Sequence, residues 1–270
     1  EIEVVAVNDL GDIDNMAYLL KYDTAYGRSG LNVTTEKGDK PAFVVNGKKV
    51  LYLAVKDPAM LPWKDLGVDI VVESTGLFTS AEKAMAHVTA GAKRVVVSAP
   101  IKDAEDAKIK GTTVLMGVNE ADLSGALVTS NASCTTNAGS PLISILNETL
   151  GIEKALLNTV HAYTASQSIV DGPNKKDWRE GRAAAMNIVP SSTGAAVAIT
   201  EVITDLAGKF DGIAMRVPVV TGSVVDITFI SKRNTTKEEV NQILRDAAKT
   251  PRWNAIFSAS DEELVSRDII

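Results

Sequence analysis

Two residues of this sequence have the type and the placement that nucleophilic catalysis requires, and the first is Cys134. It is the single cysteine of the chain and stands in SNASCTTNAGSPL, directly after a predicted strand and at the start of a predicted helix. Amide N–H groups and the positive end of the helix dipole stabilise a thiolate there, and the thiolate is the nucleophilic form of cysteine. A lone cysteine is also common as a small buried apolar residue, so both interpretations stay open at this point.

A base for that thiol has few candidates, because the chain contains two histidines. His87 lies in AEKAMAHVTAGA, a helical segment with no polar cluster, and we predict a surface or packing role for it. His161 ends the predicted strand ALLNTVH, one helix and one strand after the cysteine. That order can return the strand end to the helix start, which would pair base and nucleophile, although a turn histidine fits the same position.

Alternating strands and helices are predicted in the first half of the chain. Up to about residue 130, apolar runs such as VDIVVEST and KRVVVSAP alternate with helical patterns. Continuous Val and Ile runs suit strands buried on both faces, so they predict α/β architecture with a doubly wound, Rossmann-type parallel sheet. Asn46-Gly47, within FVVNGKKVLYLAV, predicts a two-residue hairpin turn.

The pattern changes after Cys134, which predicts a second domain. A helix from about Thr136 to Leu150 leads to a strand, and a long polar segment then covers residues 164–187. Two further strands and a capped helix follow it. Strands joined by long connections indicate an α+β domain with a mixed or antiparallel sheet. We therefore predict domains at residues 1–133 and 134–270.

Residues at the carboxyl ends of the predicted strands suggest a dinucleotide site. Asp9 ends the first strand, where dinucleotide-binding folds carry an acid that binds ribose hydroxyls. Ser74-Thr75-Gly76 and Ser98-Ala99-Pro100 follow two other strands, and such small residues let a ribose or a flat ring approach the backbone. Each pattern also fits an ordinary turn or helix cap. No G-x-G-x-x-G phosphate loop occurs in the sequence.

Composition excludes several classes of protein. The 270 residues are 45% hydrophobic, enough to fill one large core or two ordinary ones. The net charge of −6 and the scattered basic residues argue against nucleic acid or an anionic membrane as the main partner. One cysteine excludes an internal disulfide and a cysteine-rich metal site, so we expect no metal. No run approaches the roughly 18 consecutive apolar residues of a membrane span, and the first residues carry no basic region, so we expect a cytoplasmic protein. Both ends of the sequence are apolar, and we expect that segments of the natural protein are missing there.

Several longer motifs occur together and in order. They are AVNDL, KYDTAYGR, STGLF, AGAKRVVVSAP and GVNEADL, followed by SNASCTTN, TVHAYTASQ, WREGRAAAMNIVPSSTGAA and GIAMRVPV. Their order and spacing resemble the signatures of the glyceraldehyde-3-phosphate dehydrogenase family over nearly the whole chain. The resemblance implies a phosphorylating aldehyde dehydrogenase of glycolysis that uses NAD, glyceraldehyde 3-phosphate and inorganic phosphate. It also implies a cytoplasmic homotetramer for the intact protein.

The resemblance assigns roles to individual residues. The Cys134 thiolate would attack the aldehyde to form a thiohemiacetal, which gives a hydride to the nicotinamide and becomes a thioester that phosphate cleaves. His161 would lower the pKa of the thiol and act as the base. The implied binding residues are Thr164 and Arg216 for the substrate phosphate, Ser133, Thr135, Thr193 and Gly194 for the attacking phosphate, and Asp9, Thr75 and Ser98 for NAD.

Two alternatives stand beside this hypothesis. Erythrose-4-phosphate dehydrogenase is a close relative with the same Cys and His, although HAYTASQ resembles the glyceraldehyde-phosphate form. A non-catalytic NAD-binding scaffold on the same fold is the other, and the presence of both Cys134 and His161 argues against it. The family's opening glycine-rich strand and its last segment are not among these residues, so the chain resembles a fragment of such an enzyme.

Overall fold

The structure is a computed structural model that describes residues 2–104 and 106–270. The strands and helices before Cys134 are β1 (Ala6–Asn8), α1 (Ile13–Lys21), β2 (Tyr22–Asp23), β3 (Gly27–Arg28), β4 (Val33–Glu36), β5 (Ala42–Val45), β6 (Lys48–Leu53), β7 (Ile70–Glu73), α2 (Ala81–Thr89), β8 (Arg94–Val97), β9 (Thr112–Thr113) and β10 (Val128–Ser130). Those that follow are α3 (Cys134–Leu150), β11 (Ile152–Ala162), β12 (Val189–Ser192), α4 (Ala195–Val202), β13 (Phe210–Val217), β14 (Ser223–Ser231) and α5 (Lys237–Ala247). Short 3-10 helices lie at Pro58–Met60, Glu120–Leu123, Trp178–Gly181, Ala184–Met186, Thr204–Leu206 and Ser266–Ile269.

One four-stranded sheet in the first half of the chain is parallel throughout. Its strand order is β7-β8-β10-β9, and each neighbouring pair runs in the same direction. Ala81 and Ala84 of α2 pack into one core with Val95 and Val97 of β8. Because parallel strands end at the same edge, the segments after β7, β8 and β10 meet there. The predicted Rossmann-type parallel sheet is confirmed.

A second sheet of the first half contains the predicted hairpin. Its order is β1-β6-β5-β4, in which β1 is parallel to β6 and the other neighbours are antiparallel. Asn46 and Gly47 join β5 to β6 with φ angles of 50° and 83°. Two successive left-handed residues match the twist of the flanking strands, which is why Asn-Gly favours this turn. The predicted turn is confirmed.

Strand β7 departs from the expectation that these runs are buried on both faces. Ile70 and Val72 are 58% and 64% exposed, whereas Val71 between them is buried in the core under α2. Side chains alternate between the two faces of a strand, so Ile70 and Val72 share the face opposite to Val71, and within the described residues that face is left exposed. The prediction of double burial is therefore wrong for this strand.

The elements after residue 133 form a mixed sheet covered by helices. Its order is β12-β13-β11-β14, with β11 parallel to β13 and the other pairs antiparallel. Ile143 of α3, Leu157 of β11 and Ile199 of α4 are buried together in the core behind this sheet. The mixed sheet is confirmed, and the division into domains at residue 133 stays a prediction.

The register of β11 against β13 sets the positions of two polar side chains. The two strands pair in parallel from Ala155↔Phe210 to Ala162↔Val217, which places His161 directly opposite Arg216. Side chains alternate between the faces of a strand, so His161 shares its face with the buried Thr159 and Leu157. His161 and Arg216 thus lie side by side near the carboxyl ends of neighbouring strands.

The polar segment 164–187 folds back on itself through backbone hydrogen bonds. Ser168 donates its N–H to Glu180 and Gly172 to Gly181, at 3.0 and 2.8 Å. The segment exposes Trp178 and Met186, at 86% and 82% of their surface. Over the described residues, no helix is long and apolar enough to cross a membrane.

Candidate active site

Cys134 is the first residue of α3, two residues earlier than the helix start predicted from the sequence. The Ser133 hydroxyl caps the helix by accepting the Thr136 N–H at 3.0 Å. The Asn137 side chain donates to the carbonyls of Asn131 and Ser133, at 2.6 and 2.9 Å. These bonds hold the strand-to-helix turn in one conformation. The thiol is exposed at the amino end of the helix, where the dipole favours an anion.

His161 meets this thiol from the end of β11. Its Nε2 lies 3.1 Å from Cys134 Sγ. The hydrogen bond from His161 lowers the pKa of Cys134 to about 7, with help from Thr135 and against the raising effect of burial. The same bond to Cys134 raises the pKa of His161. Opposite shifts in the two partners favour a thiolate beside an imidazolium, which is the reactive form of a cysteine–histidine pair.

The other ring nitrogen of His161 faces the Ala162 carbonyl and the Arg216 guanidinium. Nδ1 lies 2.7 Å from the Ala162 oxygen and 2.8 Å from Arg216 Nη1. Arg216 Nη1 can only donate, so it bonds Nδ1 when that nitrogen is unprotonated, and when Nδ1 carries a proton the ring donates to the Ala162 carbonyl, which Arg216 Nη1 also reaches at 3.2 Å. The bond to the Ala162 carbonyl acts to raise the pKa of His161, whereas the positive charge of Arg216 acts to lower it. Arg216 is therefore a neighbour of the base as well as an implied phosphate ligand.

Arg216 also carries an unused donor. Its Nε is buried and has no hydrogen-bond partner within the described residues. Buried donors in native proteins are nearly always paired, so this unpaired nitrogen is unusual. The rest of the guanidinium is part-buried beside His161, and guanidinium groups bind anions through charge-assisted hydrogen bonds.

The other implied phosphate residues differ in how closely they lie to the triad of Cys134, His161 and Arg216. Ser133 and Thr135 flank the thiol directly, and Thr135 is buried. Thr164 lies two residues after Ala162, with its N–H donated to the Gln167 side chain at 3.2 Å. Thr193 and Gly194 form the start of α4, where the Thr193 hydroxyl accepts the Ala195 N–H at 3.2 Å. Across residues 2–104 and 106–270, no hydrogen bond joins Thr164, Thr193 or Gly194 to the triad.

Two of the three implied cofactor residues share one edge of the parallel sheet. Thr75 follows β7 and Ser98 follows β8, and the Ser98 hydroxyl donates to Ser74 at 2.9 Å. Asp9 follows β1 in the other sheet, where its carboxylate accepts the Gly11 N–H at 2.7 Å. In the part of the chain that the structure describes, no hydrogen bond links Asp9 to Thr75 or Ser98.

Sequence reasoning missed the surroundings of His87. Its predicted placement without a polar cluster is wrong, because the side chain is buried between two polar groups. Trp63 Nε1 donates to His87 Nδ1, and His87 Nε2 lies 3.0 Å from the Glu73 carboxylate. Glu73 in turn binds the backbone N–H of Thr75 at 2.7 Å. The sequence signal was a glutamate inside the apolar run VDIVVEST, because a carboxylate in a core strand requires buried donors.

Comparison with known proteins decides the family. Residues 1–81 match the model for the glyceraldehyde 3-phosphate dehydrogenase NAD binding domain, and residues 133–270 match the model for its C-terminal domain. The chain belongs to the glyceraldehyde-3-phosphate dehydrogenase family. The resemblance inferred from the sequence motifs is confirmed, and the elements up to residue 81 belong to an NAD-binding domain of this family.

Curated relatives agree with the family models. The glyceraldehyde-3-phosphate dehydrogenase of Clostridium pasteurianum is 49% identical over 271 residues, covering 100% of this chain and 77% of the relative. Glyceraldehyde-3-phosphate dehydrogenase 1 of Streptomyces arenae is 48% identical, with 100% and 78% covered. Glyceraldehyde-3-phosphate dehydrogenase B of Aspergillus oryzae is 47% identical, with 99% and 77% covered. The chain thus spans about three quarters of the length of these relatives.

Proposed function

We propose that this protein oxidises glyceraldehyde 3-phosphate with NAD and inorganic phosphate, and that Cys134 is the nucleophile. The observation that carries the proposal is the 3.1 Å contact between Cys134 Sγ and His161 Nε2 at the amino end of α3. A thiol with a pKa of about 7 is substantially ionised at neutral pH, so it can attack a carbonyl carbon.

The protein residues have defined parts in this reaction. The Cys134 thiolate bonds to the aldehyde carbon, and the oxygen takes a proton from His161 to form a thiohemiacetal. His161 takes this proton back when the hydride leaves. The Cys134 N–H is the first amide of α3 and has no acceptor within the helix, so it can stabilise the oxyanion. NAD supplies the hydride acceptor that converts the thiohemiacetal into a thioester. Inorganic phosphate then attacks the thioester carbon, and Cys134 leaves as a thiolate.

The residues at the sheet edge fit a dinucleotide. Gly76 follows Thr75 with a φ of +74°, and a Cβ built there would meet no atom within 4 Å, so the turn leaves room for a ligand. Asp9 is exposed and its carboxylate can accept from ribose hydroxyls, which favours NAD over a 2′-phosphorylated cofactor. We therefore assign Asp9, Thr75 and Ser98 to the cofactor.

Two phosphate positions follow from the donors around the thiol. The part-buried guanidinium of Arg216 lies 2.8 Å from His161, which supports a substrate phosphate held by Arg216 and Thr164. Ser133, Thr135, Thr193 and Gly194 lie at the starts of α3 and α4, and helix amino ends bind anions through free N–H groups and the dipole. We assign these four residues to the attacking phosphate.

A turnover assay with a serine variant tests the proposal. NADH formation from glyceraldehyde 3-phosphate, NAD and phosphate should fall by about 10³-fold or more in Cys134→Ser, because a hydroxyl is not ionised at neutral pH. Erythrose 4-phosphate serves as the comparison substrate, and it should turn over more slowly. Full activity of the serine variant, or a clear preference for the four-carbon aldehyde, would contradict the proposal.

We further propose a cytoplasmic homotetramer for the intact protein. The outer face of the mixed sheet leaves Leu156, Ile213 and Val224 more than half exposed, at 63%, 53% and 54%. Trp178 in the segment 164–187 is 86% exposed, and apolar surface of this kind is typical of subunit contacts. A reactive free thiol suits the reducing cytoplasm. Sedimentation equilibrium of the intact protein measures its oligomeric state, and a protein that stays monomeric at high concentration would refute the tetramer. Cell fractionation measures its localisation, and recovery outside the cytoplasmic fraction would refute that part of the proposal.

A further inference from the structure

A line of four side chains connects the core of the NAD-binding domain to its ligand edge. Trp63 Nε1 donates to His87 Nδ1 at 3.0 Å, and His87 Nε2 lies 3.0 Å from Glu73 Oε2. The other carboxylate oxygen of Glu73 accepts both the N–H and the hydroxyl of Thr75. Trp63, Glu73 and His87 are 5%, 3% and 5% exposed, so water does not compete for these bonds.

The indole N–H of Trp63 fixes the tautomer of His87. An indole nitrogen can only donate, so Nδ1 of His87 must be an unprotonated acceptor. The ring proton of a neutral His87 is therefore on Nε2, from which it is donated to Glu73. A doubly protonated ring would place two donors against each other at Nδ1. His87 thus acts as a neutral relay between an indole and a carboxylate.

Glu73 is suited to its place because the three groups that contact its carboxylate all donate, namely His87 Nε2–H and the N–H and hydroxyl of Thr75. Burial raises the pKa of Glu73, but the hydrogen bonds from His87 and Thr75 outweigh it and the pKa is lowered. A glutamine could not replace it, since an amide has one acceptor oxygen and its NH2 group would face a donor. The backbone carbonyl of Glu73 also accepts the Ser98 N–H at 3.0 Å. One residue therefore holds both Thr75 and Ser98.

These bonds restrict what Thr75 can offer to a ligand. Its hydroxyl proton is committed to Glu73, and the oxygen already accepts the Leu77 N–H at 3.1 Å. One lone pair remains, so Thr75 can only accept a hydrogen bond from a ligand. A ribose hydroxyl or a carboxamide N–H is a suitable donor.

We propose that Glu73 is a positioning residue for NAD, which fixes Thr75 as a hydrogen-bond acceptor through a carboxylate held by His87 and Trp63. This rests on the proposed function, because it assumes that Thr75 binds the cofactor. Glu73 does not touch the ligand itself. It acts on cofactor affinity by holding the hydroxyl proton of Thr75 away from the groove.

A double-mutant cycle tests the proposal in the full chain. The NAD dissociation constant, measured by isothermal titration calorimetry, should rise about 10-fold in Glu73→Gln and in Thr75→Val, the effect of one good hydrogen bond. Glu73→Gln should add little in the Thr75→Val background, because Glu73 acts through that hydroxyl. Nitrogen-15 NMR of the wild type should show His87 neutral and protonated on Nε2.

A matched control separates positioning from loss of stability. Val68→Ala removes methyl groups from the same core and should lower the melting temperature without changing the NAD dissociation constant. The rate of Cys134 alkylation should be unchanged in all these variants, which reports separately on the catalytic pair. The proposal fails if Glu73→Gln binds NAD as the wild type does, if the two effects add, or if Val68→Ala weakens binding equally. Because the family's glycine-rich strand is not among these residues, the titrations use the intact protein, and an intact wild type that does not bind NAD would overturn the cofactor assignment as well.

Discussion

Replacement of His161 by alanine is expected to move the pKa of Cys134 from about 7 to the ordinary cysteine value of about 8.5. The thiolate is the deprotonated form, so a higher pKa leaves less of it at a given pH. At pH 7 the ionised fraction should fall from about one half to about 3%. Turnover should fall further, by roughly 10²–10⁴-fold, because the variant also lacks the acid and base of the proposed reaction.

The pH dependence of alkylation by iodoacetamide measures the shift in the pKa of Cys134 without cofactor or substrate. The midpoint of the rate should lie near pH 7 in the wild type and above pH 8 in the variant. Thr159→Val is the matched control, since Thr159 lies buried on the same strand and its hydroxyl has no partner within the described residues. An unchanged midpoint in His161→Ala would show that the two side chains do not interact as proposed.

Replacement of Arg216 by alanine should raise the KM for glyceraldehyde 3-phosphate by about 100-fold, the effect of one or two charge-assisted hydrogen bonds to phosphate. Lysine at this position should recover part of the loss, because an ammonium group supplies charge but not the planar donor set. The charge of Arg216 also acts to lower the pKa of His161, so that pKa should rise in the alanine variant.

An aldehyde without phosphate separates binding from chemistry in this experiment. Glyceraldehyde lacks the group that Arg216 is proposed to bind, so its KM should change little in Arg216→Ala. Arg233→Gln is the control, because Arg233 makes an exposed ion pair with Glu239 on the surface and has no part in the proposed site. If the KM rose equally for both aldehydes, Arg216 would act through His161 and would not bind the substrate phosphate.

Local sequence was sufficient for the features that depend on neighbours in the chain. The pattern of a strand followed by a helix predicted the position of Cys134 at a helix start, and Asn46-Gly47 predicted a turn whose left-handed angles few other residue pairs adopt. His161 was found because one of two histidines ended a strand. The helix start was misplaced by two residues, since capping by Ser133 depends on a side-chain rotamer that the sequence does not specify.

Features that depend on strand register were beyond the sequence. Nothing local indicates that Arg216 lies opposite His161, because the pairing of β11 with β13 joins residues 55 apart. The burial of His87 was missed because Trp63 and Glu73 lie 24 and 14 residues away. Exposure of Ile70 and Val72 was missed because an apolar run does not reveal whether both faces of its strand are covered.

Because of the same long-range pairing, the alkylation rate of Cys134 reports on the progress of folding. His161 can lower the pKa of Cys134 only after β11 has returned to the start of α3, and Arg216 can reach His161 only once β13 is in register. A slip of one residue would turn Arg216 to the opposite face. Contacts between distant parts of a chain form late, after the slow closure of long loops. Rapid alkylation at neutral pH should thus emerge among the last signals during refolding, later than the recovery of helical circular dichroism.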